Sequence, residues 1–303
     1  MTSFQEMLVP DKLTPWILPA ANRNAGVKAS EIDASVQGKP LSITTDDGAI
    51  LSAVLEGGDG PLVVLSHCWT GSRFIWAAVT ERLVESGYRV LSYDQRGHGA
   101  STVGAEGMSI HRIGADLAFV LQTLDAKGAL VAGHSLGGMA IQAMAIHHPD
   151  CIHQHVREVF LVATAAYGVG MNRLRKLVTP VIGSPLLERV MRGRLGLLFV
   201  RGSLGSQARQ ADIVNTRDHF ISCQPHVRSG ILDAMQRMDL RHLKTIDVPV
   251  TVVHGTRDLL TPPSRGRELA KRLKADLVWI EGAGHMLPLE APDRIAQQIG
   301  RSS

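Results

Sequence analysis

Residues 131–139 read Val-Ala-Gly-His-Ser-Leu-Gly-Gly-Met, and within them Gly133-His134-Ser135-Leu136-Gly137 fits the pattern G-x-S-x-G. An apolar, strand-like run from Gly128 to Ala132 precedes it, and a helix-like run from Met139 to His147 follows. A serine at such a strand–turn–helix junction is held at strained dihedrals, so its Oγ projects from the top of a sheet. The residues two before and two after it must be tiny, or their side chains would collide with the turn. Both are glycine here. The pentapeptide is short enough to arise by chance, so its weight depends on the rest of the chain.

Outward from this stretch, strands and helices alternate. Leu41–Thr45 and Ala49–Leu55 flank Asp46-Asp47-Gly48, a hairpin turn signal. Pro61–Ser66, Arg89–Tyr93, Val156–Thr164, Val248–His254 and Leu277–Glu281 read as further strands. Between them, Phe74–Ser86, Ile110–Asp125, Pro263–Leu273 and Pro288–Ile299 read as helices. This alternation predicts an α/β fold, a mostly parallel central sheet flanked by helices on both faces. One interval breaks the rhythm. Residues 167–231 hold no convincing strand, and they carry ten basic side chains against three acidic ones. They read as an inserted helical cap. The expected organisation is an N-terminal arm (1–40), a core in two parts (41–166 and 232–303) and the cap (167–231) between them. The arm is greasy, with Phe4, Leu8, Trp16 and Leu18 among its residues. It either packs on the core or contacts a lipid surface, a second copy of the chain or the mouth of the site.

Composition narrows the classes. The 303-residue chain has 45% hydrophobic and 20% charged residues, ordinary for a globular protein. A net charge of +4 with only 4% aromatics offers neither a basic field nor a stacking platform for nucleic acid. Three cysteines without C-x-x-C spacing fit a reducing, cytoplasmic compartment and no disulfide framework. No secretory signal and no transmembrane run is expected.

A serine hydroxyl needs a base to take its proton and a third group to orient that base. Val250–Asp258 reads as a strand ending in a turn that carries Asp258, and Glu281–His285 as a strand entering a glycine-rich loop that carries His285. In a parallel sheet both fall at the carboxyl edge beside Ser135. The chain order Ser135, Asp258, His285 matches the order expected for this fold. One oxyanion donor is the main-chain N–H of Leu136. The other is expected from the loop His67-Cys68-Trp69-Thr70-Gly71-Ser72.

With these segments together, the chain resembles the capped α/β-hydrolases. His67-Cys68-Trp69-Thr70-Gly71 resembles the family's H-G-x-x-G, and Asp94-Gln95-Arg96-Gly97-His98-Gly99 resembles D-x-R-G-x-G. The serine pentapeptide, Gly255-Thr256-Arg257-Asp258 and Gly284-His285 follow in order, so the resemblance spans about residues 41–300. It implies Ser135 as nucleophile, His285 as base, Asp258 as its orienter, and the amides of Leu136 and Trp69 as oxyanion hole, with no cofactor and no metal. The family usually has glycine where this chain has Cys68.

Other residues read more plainly. His67 and His134 are supports, Asp94 and Arg96 are loop anchors, and Cys68 is a bystander. Asp233 and Asp239 are weaker acids than Asp258, because they sit near the cap exit. The group His147, His148, Cys151, His153 and His155 matches no zinc spacing and reads as solvated loop. The expected chemistry is hydrolysis of a carboxylic ester or thioester of a hydrophobic acyl substrate, in the manner of carboxylesterases and lipases. Acyl transfer, perhydrolysis, carbon–carbon bond hydrolysis and a non-catalytic ligand-binding role are the alternatives. The cap's arginine excess is either a solvated face or a contact for an anionic group, such as the head groups of a membrane surface met peripherally. Charge reversal of Arg192 and Arg194 separates the two.

Overall fold

The computed structural model describes residues 38–168 and 175–301. The arm predicted over 1–40 lies almost wholly outside them. Eight strands form one sheet: β1 (Lys39–Thr44), β2 (Ile50–Glu56), β3 (Leu62–Ser66), β4 (Arg89–Tyr93), β5 (Ala129–His134), β6 (Val156–Val162), β7 (Val250–Gly255) and β8 (Asp276–Ile280). Their order is β1-β2-β4-β3-β5-β6-β7-β8. β1 and β2 form an antiparallel hairpin, β2 pairs antiparallel with β4, and every later neighbour is parallel. The mostly parallel sheet expected from the alternation is therefore present. Each residue of β3 and of β5 is buried, as a strand covered on both faces requires.

The core helices are α1 (Ala77–Glu85), α2 (Ile110–Thr123), α3 (Leu136–His147) and α4 (Pro149–His155). α3 is buried all round from Leu136 to Met144, which explains its unbroken run of small and apolar residues. The predicted strand Gly128–Ala132 and helix from Met139 both underestimate their elements. β5 continues through His134, and α3 begins at Leu136, leaving Ser135 as the sole hinge between them.

The solvated loop expected from His147 to His155 is mostly helix. Pro149 occupies the first turn of α4, where its missing N–H costs nothing. Cys151, Ile152 and His155 are buried, with His155 Nδ1 bonded to the carbonyl of Ala126. The helix before it stops at His147, and the proline opens the next one.

Among the described residues, five helices lie in the interval expected to form the cap: α5 (Arg175–Ile182), α6 (Pro185–Met191), α7 (Arg194–Arg201), α8 (Gln210–Ser222) and α9 (Pro225–Arg237). The predicted boundary at 231 falls inside α9, whose apolar face continues through Leu232 and Met235. The cap's base is closed instead by the antiparallel bridge between Tyr167 and Asp239, with Leu240 N donating to Ala166 O at 2.7 Å. Past the cap come α10 (Pro263–Leu273), α11 (Leu287–Glu290) and α12 (Pro292–Gly300). The last two were expected as one helix. Pro292 forces Ala291 out of helical geometry, to φ −144° and ψ 51°, and breaks it.

Among the described residues no helix is long and apolar enough to cross a membrane.

Candidate active site

The sheet register aligns the ends of the strands that carry the predicted residues. Ser66 of β3 pairs with Gly133 of β5, His134 with Val162 of β6, and Val162 with Val253 of β7. Ser135 follows at the tip of β5 with φ 52° and ψ −106°. A β-carbon rarely tolerates positive φ, and such strain costs on the order of 1–3 kcal/mol. Neighbouring bonds hold it there: Ser135 N donates to Val162 O at 2.9 Å, and Thr164 Oγ1 donates to Ser135 O at 2.7 Å.

The two glycines are required by contact distances. A β-carbon on Gly133 would lie 2.4 Å from the carbonyl of Gly137, and one on Gly137 would lie 2.2 Å from Ser66 O. Both clashes are with backbone, so no rotamer relieves them.

Asp258 and His285 meet directly. His285 Nδ1 is bonded to Asp258 Oδ2 at 2.8 Å, with Asp258 fully buried and His285 nearly so. Thr261 completes the carboxylate's shell, its hydroxyl donating to Oδ2 at 2.6 Å and its N–H to Oδ1 at 2.8 Å. Leu260 N also donates to Oδ1, at 2.9 Å. Burial pushes the Asp258 carboxyl up, but the His285 charge, the side-chain bonds from His285 and Thr261 and the His254 charge outweigh it, and the pKa falls below the ordinary carboxylate value. Asp258 therefore stays ionised and holds His285 by Nδ1, which turns the ring's Nε2 away from the carboxylate. Among the described residues the Ser135 hydroxyl makes no hydrogen bond to His285.

The His285 backbone is fixed at both polar atoms. His134 Nε2 donates to His285 O at 2.8 Å, and His285 N donates to Ser203 O at 2.8 Å. Burial first, and repulsion from His285 second, push the His134 pKa down to about 3, so its ring stays neutral. Glu290 grips the same loop. Its Oε2 accepts from Gly284 N at 3.0 Å and from Gly205 N of the cap at 2.6 Å, and its Oε1 accepts from Met286 N at 3.0 Å. Burial raises the Glu290 pKa, and the three amide donors oppose that shift. The cap and the His285 loop touch backbone to backbone: a β-carbon on Gly284 would lie 2.4 Å from Gly205 N.

Leu136 is the first residue of α3, so its N–H has no carbonyl one turn back to bond. Trp69 sits in the tight loop after β3, where Thr70 takes φ 60°. Among the described residues no main-chain acceptor claims the Trp69 N–H. Its ring is occupied elsewhere: Nε1 donates to Arg228 O at 3.0 Å, and the ring meets Phe220 edge-on at 6.0 Å. Arg228 is itself fully buried, so the cap's basic residues are not all a solvated face.

His67 binds loop to loop, Nδ1 donating to Cys68 O at 2.7 Å and Nε2 accepting from Gln95 N at 2.9 Å. Asp94 receives Arg73 Nη1 at 2.6 Å, and Arg96 clamps Asp116 at 2.6 Å and Asp47 at 3.0 Å. Burial pushes the Cys68 thiol up to about 12, which leaves it unionised and unreactive. Asp233 lies in α9, and Asp239 is exposed and pairs with Arg241; neither is bonded to His285. Among the described residues no group of histidine, cysteine and carboxylate side chains could hold a metal ion.

Sequence reasoning missed Thr261, Thr164 and Glu290. Asp258-x-x-Thr261 ahead of a proline-started helix is a local turn pattern that could have signalled the first. Thr164 reaches Ser135 across 29 residues and Glu290 reaches Gly205 across 85, and for those two pairings the sequence holds no local signal.

Residues 63–298 match the family model described as the alpha/beta hydrolase family. The chain is 24% identical over 253 residues to 3-oxoadipate enol-lactonase 2 of Acinetobacter baylyi, covering 83% of this chain and 91% of that protein. It is 32% identical to epoxide hydrolase A of Mycobacterium tuberculosis, covering 86% and 97%. A solved hydrolase from Pseudomonas aeruginosa PA01 superposes with a TM-score of 0.73 at 28% identity, covering 86% of this chain and 97% of that one. The chain belongs to the alpha/beta hydrolase family.

Proposed function

We propose that this protein is a serine hydrolase of carboxylic esters or thioesters with a hydrophobic acyl group, working through Ser135, His285 and Asp258. The observation that carries this is Ser135 at positive φ on the β5 tip, directly after His134, whose ring holds the main-chain carbonyl of a histidine oriented by a buried carboxylate. Ser135 Oγ attacks the carbonyl carbon while His285 Nε2 takes its proton. The carbonyl oxygen becomes an oxyanion, held by the amides of Leu136 and Trp69. Such donors contribute about 3 kcal/mol each to lowering the barrier. As the oxyanion collapses, the bond to the leaving alkoxide or thiolate breaks and His285 returns the proton to it. Water then attacks the acyl-enzyme, losing its proton to His285, and releases the acid and Ser135.

The likeness to an epoxide hydrolase does not carry over as an activity. Epoxide opening displaces at carbon and needs a carboxylate nucleophile that forms an alkyl ester, whereas the turn residue here is serine. The enol-lactonase is the closer guide, because lactone opening is acyl chemistry.

The test is a panel of acyl esters, glycerides, lysophospholipids and thioesters, run with wild type and Ser135→Ala. Turnover by wild type and a loss of at least about 10³-fold in the variant is expected. Fluorophosphonate labelling of Ser135 without turnover of any ester would favour a ligand-binding role instead.

A further inference from the structure

The cap turns large apolar side chains outward. Leu186 on α6 is 72% exposed, and Leu195, Leu198 and Phe199 on α7 are 65%, 69% and 57% exposed. The spacing 195, 198, 199 places these three on one face of α7, while Gly196 and Val200 face the protein. Burying greasy residues normally drives folding, so a stripe left outside on a short helix asks for a partner. Its setting is basic. Arg189, Arg192, Arg194 and Arg201 lie within the same two helices or directly after them, and Glu188 is the only acid between residues 175 and 201.

We propose that the α6–α7 face of the cap docks on an anionic lipid bilayer surface. An apolar stripe flanked by arginines at both ends of the helix suits a helix lying in the interface plane. Leucine and phenylalanine enter the acyl boundary, and arginine stems extend so that their guanidinium groups reach the phosphates. A second copy of the chain is the poorer occupant, because it would set these arginines against the same arginines.

The face is wired to the candidate site at two points. The Phe199 ring meets the buried Phe220 ring at 6.0 Å, and Phe220 meets Trp69 at 6.0 Å. Two residues past α7, Ser203 O holds His285 N at 2.8 Å. A docked cap would set the elements around Ser135 at the lipid surface, where a lipid-borne ester could reach them. That last point rests on the ester-hydrolase reading; the docking does not.

Cosedimentation with vesicles tests the proposal, using Ser135→Ala protein so that no lipid is consumed. Binding is expected to vesicles containing phosphatidylglycerol, to be weaker on phosphatidylcholine alone, and to fall as salt rises. Arg189→Gln/Arg194→Gln is expected to weaken partitioning about fivefold per arginine. Leu195→Ser/Leu198→Ser is expected to weaken it at least about tenfold, with an unchanged melting temperature showing that the variant folds. Three results would each overturn the proposal. They are no binding by the parent protein, equal binding to neutral and anionic vesicles, or a solution dimer that Leu195→Ser/Leu198→Ser converts to monomer. Vesicle binding without turnover of any ester would leave docking in place and remove the hydrolase reading.

Discussion

Glu290→Ala separates a role in positioning His285 from a role in folding. The carboxylate takes three main-chain donors: Gly284 and Met286, which flank His285, and Gly205 of the cap. Alanine leaves all three without an acceptor. An unmade buried hydrogen bond costs about 1–3 kcal/mol. Because Glu290 is only partly buried, water reaches some of the vacated space, and the low end applies. The sum is about 3 kcal/mol, or a fall in melting temperature of about 6 °C for a chain of this size. The larger effect falls on rate. With its flanking amides released, the His285 loop keeps its bonds to Ser203 and Ser206 but loses the one that runs through Glu290 to Gly205, and misplacing a catalytic base by about 1 Å costs about 10²-fold. kcat on a short soluble ester should drop by about that factor with KM nearly unchanged, and fluorophosphonate labelling of Ser135 should slow in proportion. Glu290→Gln keeps one oxygen for Gly205 and Gly284 but sets an NH₂ against Met286 N–H, so it should fall between alanine and wild type. A variant that melts earlier yet keeps kcat within about twofold would refute the positioning argument. An unchanged melting temperature would refute the hydrogen-bond reasoning itself.

Gly137→Ala should abolish soluble expression or activity, because its β-carbon would sit 2.2 Å from Ser66 O; an active, stable variant measured by the same ester assay would contradict the close packing of the turn. Asp258→Asn should lower kcat by about 10⁴-fold while the protein still folds, since an amide NH₂ facing Nδ1 favours the wrong tautomer; kcat and a thermal melt check both halves. Burial holds His134 neutral down to about 3 and His98 and His219 down to about 4, whereas the unfolded chain protonates them near 6.5. The unfolded state thus binds more protons below 6.5, so these rings remove stability as pH falls from 6.5 towards 4. Glu56, which burial raises to about 7, works the other way between 4.5 and 7. Urea titrations should therefore show Glu56→Gln losing more stability than wild type between pH 7.5 and 5.5, and equal losses would count against the raised Glu56 carboxyl.

The places of the candidate residues in the fold were legible because their signals are local. Gly133 and Gly137 mark a turn that admits no β-carbon, and each expected site residue lies directly after a strand, or one loop beyond, on an apolar run that the sheet buries. Strand–helix alternation is also local, since each element's period is written in its own residues. What chain order does not contain is distance. Nothing near Glu290 in sequence indicates that it binds Gly205, and nothing in Arg228 separates it from the cap's exposed arginines; burial and partners do that, through chain folded back across the site. Pro149 and Pro292 were legible on the same local terms: each bars the helix before it from continuing and opens the next one at its first turn. By itself the sequence determined the family, the sheet and the strand ends at which Ser135, Asp258 and His285 stand, because these follow from short-range sterics and periodicity. Only the tertiary structure decided how the His285 loop is held, where the cap ends and which greasy side chains face outward. Those depend on contacts between residues far apart in the chain, and it is folding that brings them together.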